Sequence, residues 1–138
     1  MTKKKDFQGK AEHKLKIVQG HYARKEYDDV VENIGYVAEF GLKACVCKEL
    51  CVEDYPSDKK YYTHNLEKLI NLAGLRDEFE EKRRESIEFF TNWSLVSEWS
   101  VELRYEPVGS NTKKYARDIL KAMADKKEGV YSWIKTKW

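Results

Sequence analysis

The sequence predicts an all-α protein, organised as one antiparallel up-and-down bundle of four or five helices. Apolar residues recur at helical spacing over long stretches, and no stretch shows the sustained apolar/polar alternation of a half-buried strand. Only 2 Pro and 7 Gly interrupt the 138 residues, so long helices are possible. We expect a basic tail at residues 1–8 and a single domain over residues 9–138, a length that can bury a real core.

The first half of the chain predicts two helices. Residues 9–24 carry apolar residues at helical spacing on one side and lysines on the other. Residues 26–51 form the longest predicted helix, and Asp28 in its first turn favours a helix start, where carboxylates are stabilised. Pro56 then indicates a loop at residues 52–60.

The next segment predicts a short helix followed by a long one. Thr63 is the expected N-cap of a helix over residues 64–73. Residues 76–103 are expected to be mostly helical, with a break near Ser86 or Thr91.

The last part of the chain predicts a loop, a helix and an aromatic terminus. Residues 106–111 contain the turn-forming residues of a loop, and a helix should run from about Thr112 to Ala124. Gly129 is expected to interrupt it before the run from Val130 to Trp138, which is aromatic and basic. That run either docks on the bundle or offers a strip for a partner.

Three cysteines lie close together, but their spacing does not predict a metal site. Cys45, Cys47 and Cys51 would need a fourth ligand to hold zinc, and no neighbouring His or second Cys pair supplies one. We therefore expect free thiols, buried as small apolar residues, with neither metal nor cofactor. The sequence also contains no Gly-rich phosphate loop and no Ser/His/Asp pattern.

Charge is unevenly distributed although the net charge is only +2. Residues 1–25 carry +6 and residues 107–138 carry +5, whereas residues 26–52 carry −4 and residues 53–106 carry −5. The basic ends could form a positive surface for nucleic acid, or they could pack beside the acidic middle helices and be neutralised. No window approaches the roughly 20 apolar residues of a membrane span, so a cytoplasmic protein without a membrane partner is expected.

Several short motifs follow one another along the predicted helices. They are Glu39-Phe40-Gly41-Leu42-Lys43-Ala44, Thr63-His64-Asn65-Leu66-Glu67-Lys68-Leu69, Trp93, Trp99 and Arg104-Tyr105. Together, over roughly residues 10–125, they resemble the HEPN family of small helical domains linked to nucleotide and RNA chemistry. The resemblance implies a helical bundle that often forms homodimers and often works beside a nucleotidyltransferase of the minimal type.

The resemblance does not extend to the family's ribonuclease motif. In the nuclease branch an Arg is followed four to six residues later by His. After Arg104 this chain reads Tyr-Glu-Pro-Val-Gly-Ser-Asn, with no His. No catalytic residue is therefore assigned, and a non-enzymatic role is favoured.

The resemblance suggests ligand-binding roles for residues of the motifs. Lys43 would meet a phosphate as a point charge with Glu39 in support, although the two could simply form an i, i+4 ion pair. His64 at a predicted helix start could contact an anion, or it could anchor the preceding loop. Arg104 could take a phosphate bidentately and Tyr105 could stack on a base, or the two could form a structural pair.

Three functional hypotheses follow. The first is a non-catalytic nucleotide- or nucleic-acid-binding module that uses Lys43, His64, Arg104 and Tyr105, with a nucleotide or RNA as its ligand. The second is an oligomeric interaction scaffold, of the toxin–antitoxin or defence-associated kind, which would expose an apolar surface. The third is a degenerate ribonuclease that uses a different base, such as His64.

Overall fold

The computed structural model describes residues 2–138. Those residues form seven α-helices: α1 Lys4–Ala23, α2 Tyr27–Glu49, α3 Leu66–Leu72, α4 Arg76–Glu85, α5 Ile87–Val96, α6 Lys113–Ala124 and α7 Val130–Lys135. Two 3-10 helices, Lys59–Tyr61 and Val101–Tyr105, lie in the connections. No strand occurs in this part of the chain beyond a single bridge between Lys3 and Asp54. The predicted all-α fold is confirmed, with more and shorter helices than the expected four or five.

Helix α2 is the central element of the bundle. It packs against α1, α3, α6 and α7, and most of its side chains from Val30 to Cys47 are buried. Gly41 lies against Ile134 of α7, where an added Cβ would come within 2.8 Å of a methyl carbon. Within residues 2–138, no helix has both the length and the apolar character that crossing a membrane requires.

Helix α1 begins at Lys4 and not at residue 9, so most of the expected tail at residues 1–8 is helical. The backbone N–H of Lys4 donates to the carbonyl of Glu53 at 2.7 Å, and Lys3 Nζ pairs with Asp54 at 2.9 Å. These contacts with a loop some fifty residues later hold the helix start in place, and local sequence could not reveal them.

The predicted helix over residues 76–103 is interrupted, as expected, at Ser86. The Ser86 hydroxyl accepts a hydrogen bond from the N–H of Phe89 at 3.0 Å and so caps α5. Helix α5 ends at Val96, which corrects the expectation that the helix continues to residue 103. Trp99 and Arg104 consequently lie in a connection and a 3-10 helix.

The start of α3 also differs from the sequence expectation. Asn65 is the N-cap, because its side-chain oxygen accepts from the N–H of Lys68 at 3.0 Å. Thr63 instead accepts from the N–H of Asn65 at 3.0 Å, within the loop. At α6 the predicted cap is correct, since the Thr112 hydroxyl accepts from the N–H of Tyr115 at 3.1 Å.

The aromatic and basic carboxyl terminus docks on the bundle. Ile134 is fully buried, and Trp138 packs edge-on against Tyr131 with ring centroids 5.8 Å apart. Lys135 pairs with Glu12 and Lys137 pairs with Glu78, each at 2.8 Å. Basic residues of the terminus therefore neutralise acidic residues of α1 and α4.

All three cysteines are free, and their burial differs. Cys45 and Cys47 lie in the core of α2, and burial raises the pKa of the Cys45 thiol to about 12. Cys51 lies beyond the end of α2 and is exposed, which corrects the expectation that all three thiols are buried.

Candidate functional site

A buried carboxylate lies at the centre of the candidate site. Glu39 is 2% exposed, and it is the only charged residue buried to this degree in residues 2–138. One carboxylate oxygen accepts from Lys43 Nζ at 3.2 Å, and the other contacts His64 Nδ1 at 2.7 Å. A buried carboxylate requires such partners, because an unpaired charge in the interior is strongly unfavourable. Glu39 therefore fixes two side chains from separate parts of the chain.

The loop between α2 and α3 brings His64 to this carboxylate. Tyr55 anchors the loop, since its hydroxyl donates to the carbonyl of Tyr61 at 2.7 Å and its ring packs edge-on against Phe7. Lys43 Nζ lies 5.5 Å from the centre of the Tyr55 ring. Burial raises the pKa of the Tyr55 hydroxyl, so Tyr55 remains a neutral donor that closes the loop over Lys43.

The contact with Glu39 leaves the other nitrogen of His64 available. Nδ1 faces a carboxylate, which only accepts hydrogen bonds, so Nδ1 carries a proton and donates it. The His64 side chain is 56% exposed, in contrast to 13% for Lys43. Nε2 can therefore accept a hydrogen bond from a ligand when the ring is neutral, or donate one to a phosphate when the ring is protonated.

His64 lies at the edge of a cleft of about 300 Å³. One wall is the start of α3 and the other is the connection from α5 to the 3-10 helix; the lining comprises His64, Asn65, Leu66, Glu67, Ser97, Trp99, Ser100 and Val101. The volume is at the lower end of the range for small-molecule pockets. The Glu67 carboxylate is already held by Arg76 at 2.8 Å and by the indole N–H of Trp93 at 3.2 Å. The Ser97 hydroxyl donates to the carbonyl of Ser94 at 2.9 Å. Within residues 2–138, His64 Nε2, the Asn65 side-chain N–H groups and the Ser100 hydroxyl proton therefore remain available to a ligand.

Trp99 holds the second wall of the cleft against α2. Its ring lies directly on Gly35, where a Cβ would overlap the ring carbons. Its indole N–H donates to the carbonyl of Glu32 at 2.9 Å, and its ring meets Tyr36 edge-on at 4.9 Å. From the sequence, Gly35 and Gly41 could let a neighbouring helix approach α2 closely. The structure places α7 at Gly41, whereas the Trp99 side chain, from a connection, occupies the space at Gly35.

Arg104 and Tyr105 lie together on the 3-10 helix that continues from the cleft wall. Arg104 Nη2 donates to the Tyr105 hydroxyl at 3.0 Å, and the guanidinium lies 5.0 Å from the Tyr105 ring centre. This hydrogen bond is the main cause that raises the pKa of Arg104. Both side chains are exposed, and neither lines the cleft. The structure therefore joins Glu39, Lys43 and His64 in one cluster and places the Arg104–Tyr105 pair apart from it.

A second cluster of possible ligands lies at the turn between α1 and α2. Side-chain atoms of His21, Glu26 and Asp29 all lie within 4.8 Å of one another. Arg24 already lies among them: its guanidinium approaches His21 Nδ1 at 3.3 Å and donates to Glu26 at 3.0 Å. The hydrogen bond from His21 is the main cause that lowers the pKa of Glu26. His21, Arg24 and Glu26 thus form a hydrogen-bonded network that closes the turn.

Comparison with known proteins and protein families identifies the family of this chain. The model of the HEPN domain matches residues 5–135, nearly the whole chain. No curated protein and no solved structure matches the sequence. The matched span includes every α-helix except the first residue of α1, and it agrees with the all-α architecture. The protein therefore belongs to the HEPN domain family.

Proposed function

We propose that this HEPN-domain protein is a non-catalytic module that binds nucleotides or nucleic acid. The observation that carries the proposal is the buried Glu39 carboxylate, which orients His64 at the edge of the cleft. A ring that is already held in place loses little conformational entropy when a ligand binds. The family match supports a module linked to nucleotides or RNA.

The exposure of each side chain decides which part of a ligand it would contact. His64 Nε2 would bind a phosphate oxygen or a ribose hydroxyl, with the hydroxyls of Ser97 and Ser100 opposite. Lys43 would add positive potential, although Glu39 neutralises much of its charge. On the neighbouring 3-10 helix, Arg104 would take a second phosphate and Tyr105 would stack on a base.

Calorimetric titration with nucleoside mono-, di- and triphosphates tests the proposal. We expect His64→Ala to weaken binding about tenfold or more, because a hydrogen bond to a charged group contributes about 1.5–3 kcal/mol. Glu39→Gln should weaken it as well, since the ring loses its charged partner. Lys68→Ala is the matched control: Lys68 is exposed on α3, four positions after His64, but does not line the cleft. The absence of nucleotide binding, or equal affinities for the His64 and Lys68 variants, would contradict the proposal.

The Glu39–His64 pair also favours a second candidate function, a degenerate ribonuclease. A carboxylate-oriented imidazole is a common general base. Incubation of the purified protein with RNA separates the two functions. Cleavage that disappears in His64→Ala would establish the nuclease, whereas intact RNA in the presence of protein that binds nucleotides is the outcome we expect.

The interaction-scaffold alternative has its own support on α5. Ile87 is 80% exposed and Phe90 is 49% exposed, and the two lie three positions apart on one face of the helix. We propose that this face joins two copies of the chain or contacts a nucleotidyltransferase partner. Native mass spectrometry should then show twice the 16.3 kDa chain mass or an added polypeptide. A monomer at all concentrations, purified from its own cells without a partner, would argue against it.

A further inference from the structure

A continuous row of aromatic rings follows the seam between α1 and α2. In order of contact the row consists of Trp99, Tyr36, Phe40, Phe7, Tyr55 and Tyr61, with consecutive ring centroids 4.9, 5.8, 6.2, 5.3 and 6.2 Å apart. Trp99, Phe7 and Tyr55 are buried, whereas Tyr36, Phe40 and Tyr61 are half-buried and reach the surface. Because Trp99 also lines the cleft, this aromatic row begins at the candidate site.

Positively charged side chains accompany the aromatic row. Lys14 Nζ lies 5.7 Å from the centre of the Tyr36 ring, and Lys10 Nζ lies 5.9 Å from that of Phe40. At the far end, Lys60 Nζ lies 5.1 Å from the centre of the adjoining Tyr61 ring. Arg104 lies on the 3-10 helix Val101–Tyr105, which follows Trp99 in the chain, and its guanidinium lies 5.0 Å from the centre of the Tyr105 ring.

These four cations differ from the other cations that lie over aromatic rings. In residues 2–138 the others also form ion pairs with carboxylates; they are Lys43, Arg76, Lys82, Arg83, Lys135 and Lys137. The same part of the chain provides no ion pair for Lys10, Lys14, Lys60 or Arg104. Glu102 adds to the rise in the pKa of Arg104 but does not pair with it. Lys10, Lys14 and Lys60 therefore place uncompensated positive charge over rings of the row. Arg104 places it over Tyr105, on the 3-10 helix that follows Trp99.

We propose that the aromatic row and its four cations bind a single-stranded nucleic acid that enters from the cleft. Lys10 and Lys14 are four residues apart on α1, about 6 Å along the helix axis, and would meet neighbouring phosphates. The half-buried rings and the exposed Tyr105 would contact unstacked bases, which a duplex does not offer. The inference rests on the proposed function and extends it by naming the polymer and its path.

Fluorescence anisotropy with labelled oligonucleotides tests the path. Single-stranded RNA and DNA of about 4 and about 12 nucleotides, with a duplex of the longer sequence, serve as probes. The test variant is Lys10→Glu with Lys14→Glu. The control is Lys113→Glu with Lys121→Glu, which makes the same change in charge on α6, at exposed lysines that lie over no aromatic ring in the described chain. Circular dichroism confirms that both variants are folded.

We expect the longer single strand to bind more tightly than the shorter strand and the duplex. The α1 variant should bind at least about tenfold more weakly. The slope of log affinity against log salt concentration should also become shallower by roughly 1.4, because each of the two lysines no longer neutralises a phosphate that contributes about 0.7. In the α6 control, neither the affinity nor its salt dependence should change by a comparable amount. Binding of single-stranded RNA alone, or of both single-stranded RNA and DNA, supports the inference. The difference between the two affinities identifies the natural strand.

Two results would overturn the inference. One is an equal loss of affinity in the α1 variant and the α6 control, and the other is a duplex that binds as tightly as the single strand. If mononucleotides still bind in a manner that depends on His64, only this path is wrong. If neither mononucleotides nor oligonucleotides bind, the proposed function fails with it.

Discussion

The contact between Trp99 and Gly35 provides a sharp test of how the cleft is built. A Cβ at position 35 would overlap the Cγ, Cδ2 and Cε3 atoms of Trp99, far inside the roughly 3.5 Å contact distance of two carbon atoms. The ring has little freedom to move aside, because its N–H is bonded to the carbonyl of Glu32 and it is in edge-on contact with the Tyr36 ring. Gly35→Ala should therefore displace the indole from its site.

The expected loss follows from two opposing contributions. Removing a buried Trp from its contacts costs about 3–5 kcal/mol, as in a Trp→Ala change. Replacing Gly by Ala within a helix stabilises the folded protein by about 1 kcal/mol. The net expectation is a destabilisation of about 2–4 kcal/mol, measured as the free energy of unfolding in urea. Nucleotide affinity should fall as well, since Trp99 forms part of the cleft wall.

Gly9→Ala is the matched control for this substitution. Gly9 also lies within a helix, but apart from its chain neighbours and the backbone of its own helix no heavy atom lies within 4 Å of the position its Cβ would take. This variant should be unchanged or more stable by up to about 1 kcal/mol. In addition, the double variant Gly35→Ala with Trp99→Ala should lose less free energy of unfolding than the sum of the losses in the two single variants. A Gly35→Ala protein as stable as the wild type would refute the reasoning.

Two further predictions concern protonation. The N–H of Gly109 donates to the Asp28 carboxylate at 2.7 Å, and this bond is the main cause that lowers the Asp28 pKa below 3.8. The resulting stability is present above about pH 4 and is lost as the pH falls through the pKa of Asp28 in the folded protein. Between about pH 2 and pH 5, the free energy of unfolding should therefore depend less on pH in Asp28→Asn than in the wild type. A thiol reagent should label Cys51 alone in the native protein, since burial raises the pKa of Cys45 to about 12. Rapid labelling of a second native thiol would contradict this.

Helices could be predicted where the signal is local. The apolar pattern of α2 and the Thr112 cap of α6 each depend on residues within a few positions of one another, and both agree with the structure. The start of α1 and the end of α5 could not be predicted in the same way. The first depends on the carbonyl of Glu53, and the second is set where the chain leaves the helix to pack Trp99 on Gly35.

The sequence by itself determined the helical class, the family and the identity of the motif residues, because these depend on periodicity and short patterns. Only the tertiary structure decided how the motif residues meet. Glu39 and His64 are 25 positions apart, and their contact exists because the loop anchored by Tyr55 folds back onto α2. The row that joins Tyr36 to Phe7 likewise arises from packing between two helices. Side-chain burial and long-range pairing depend on the whole packed chain, so no local pattern encodes them.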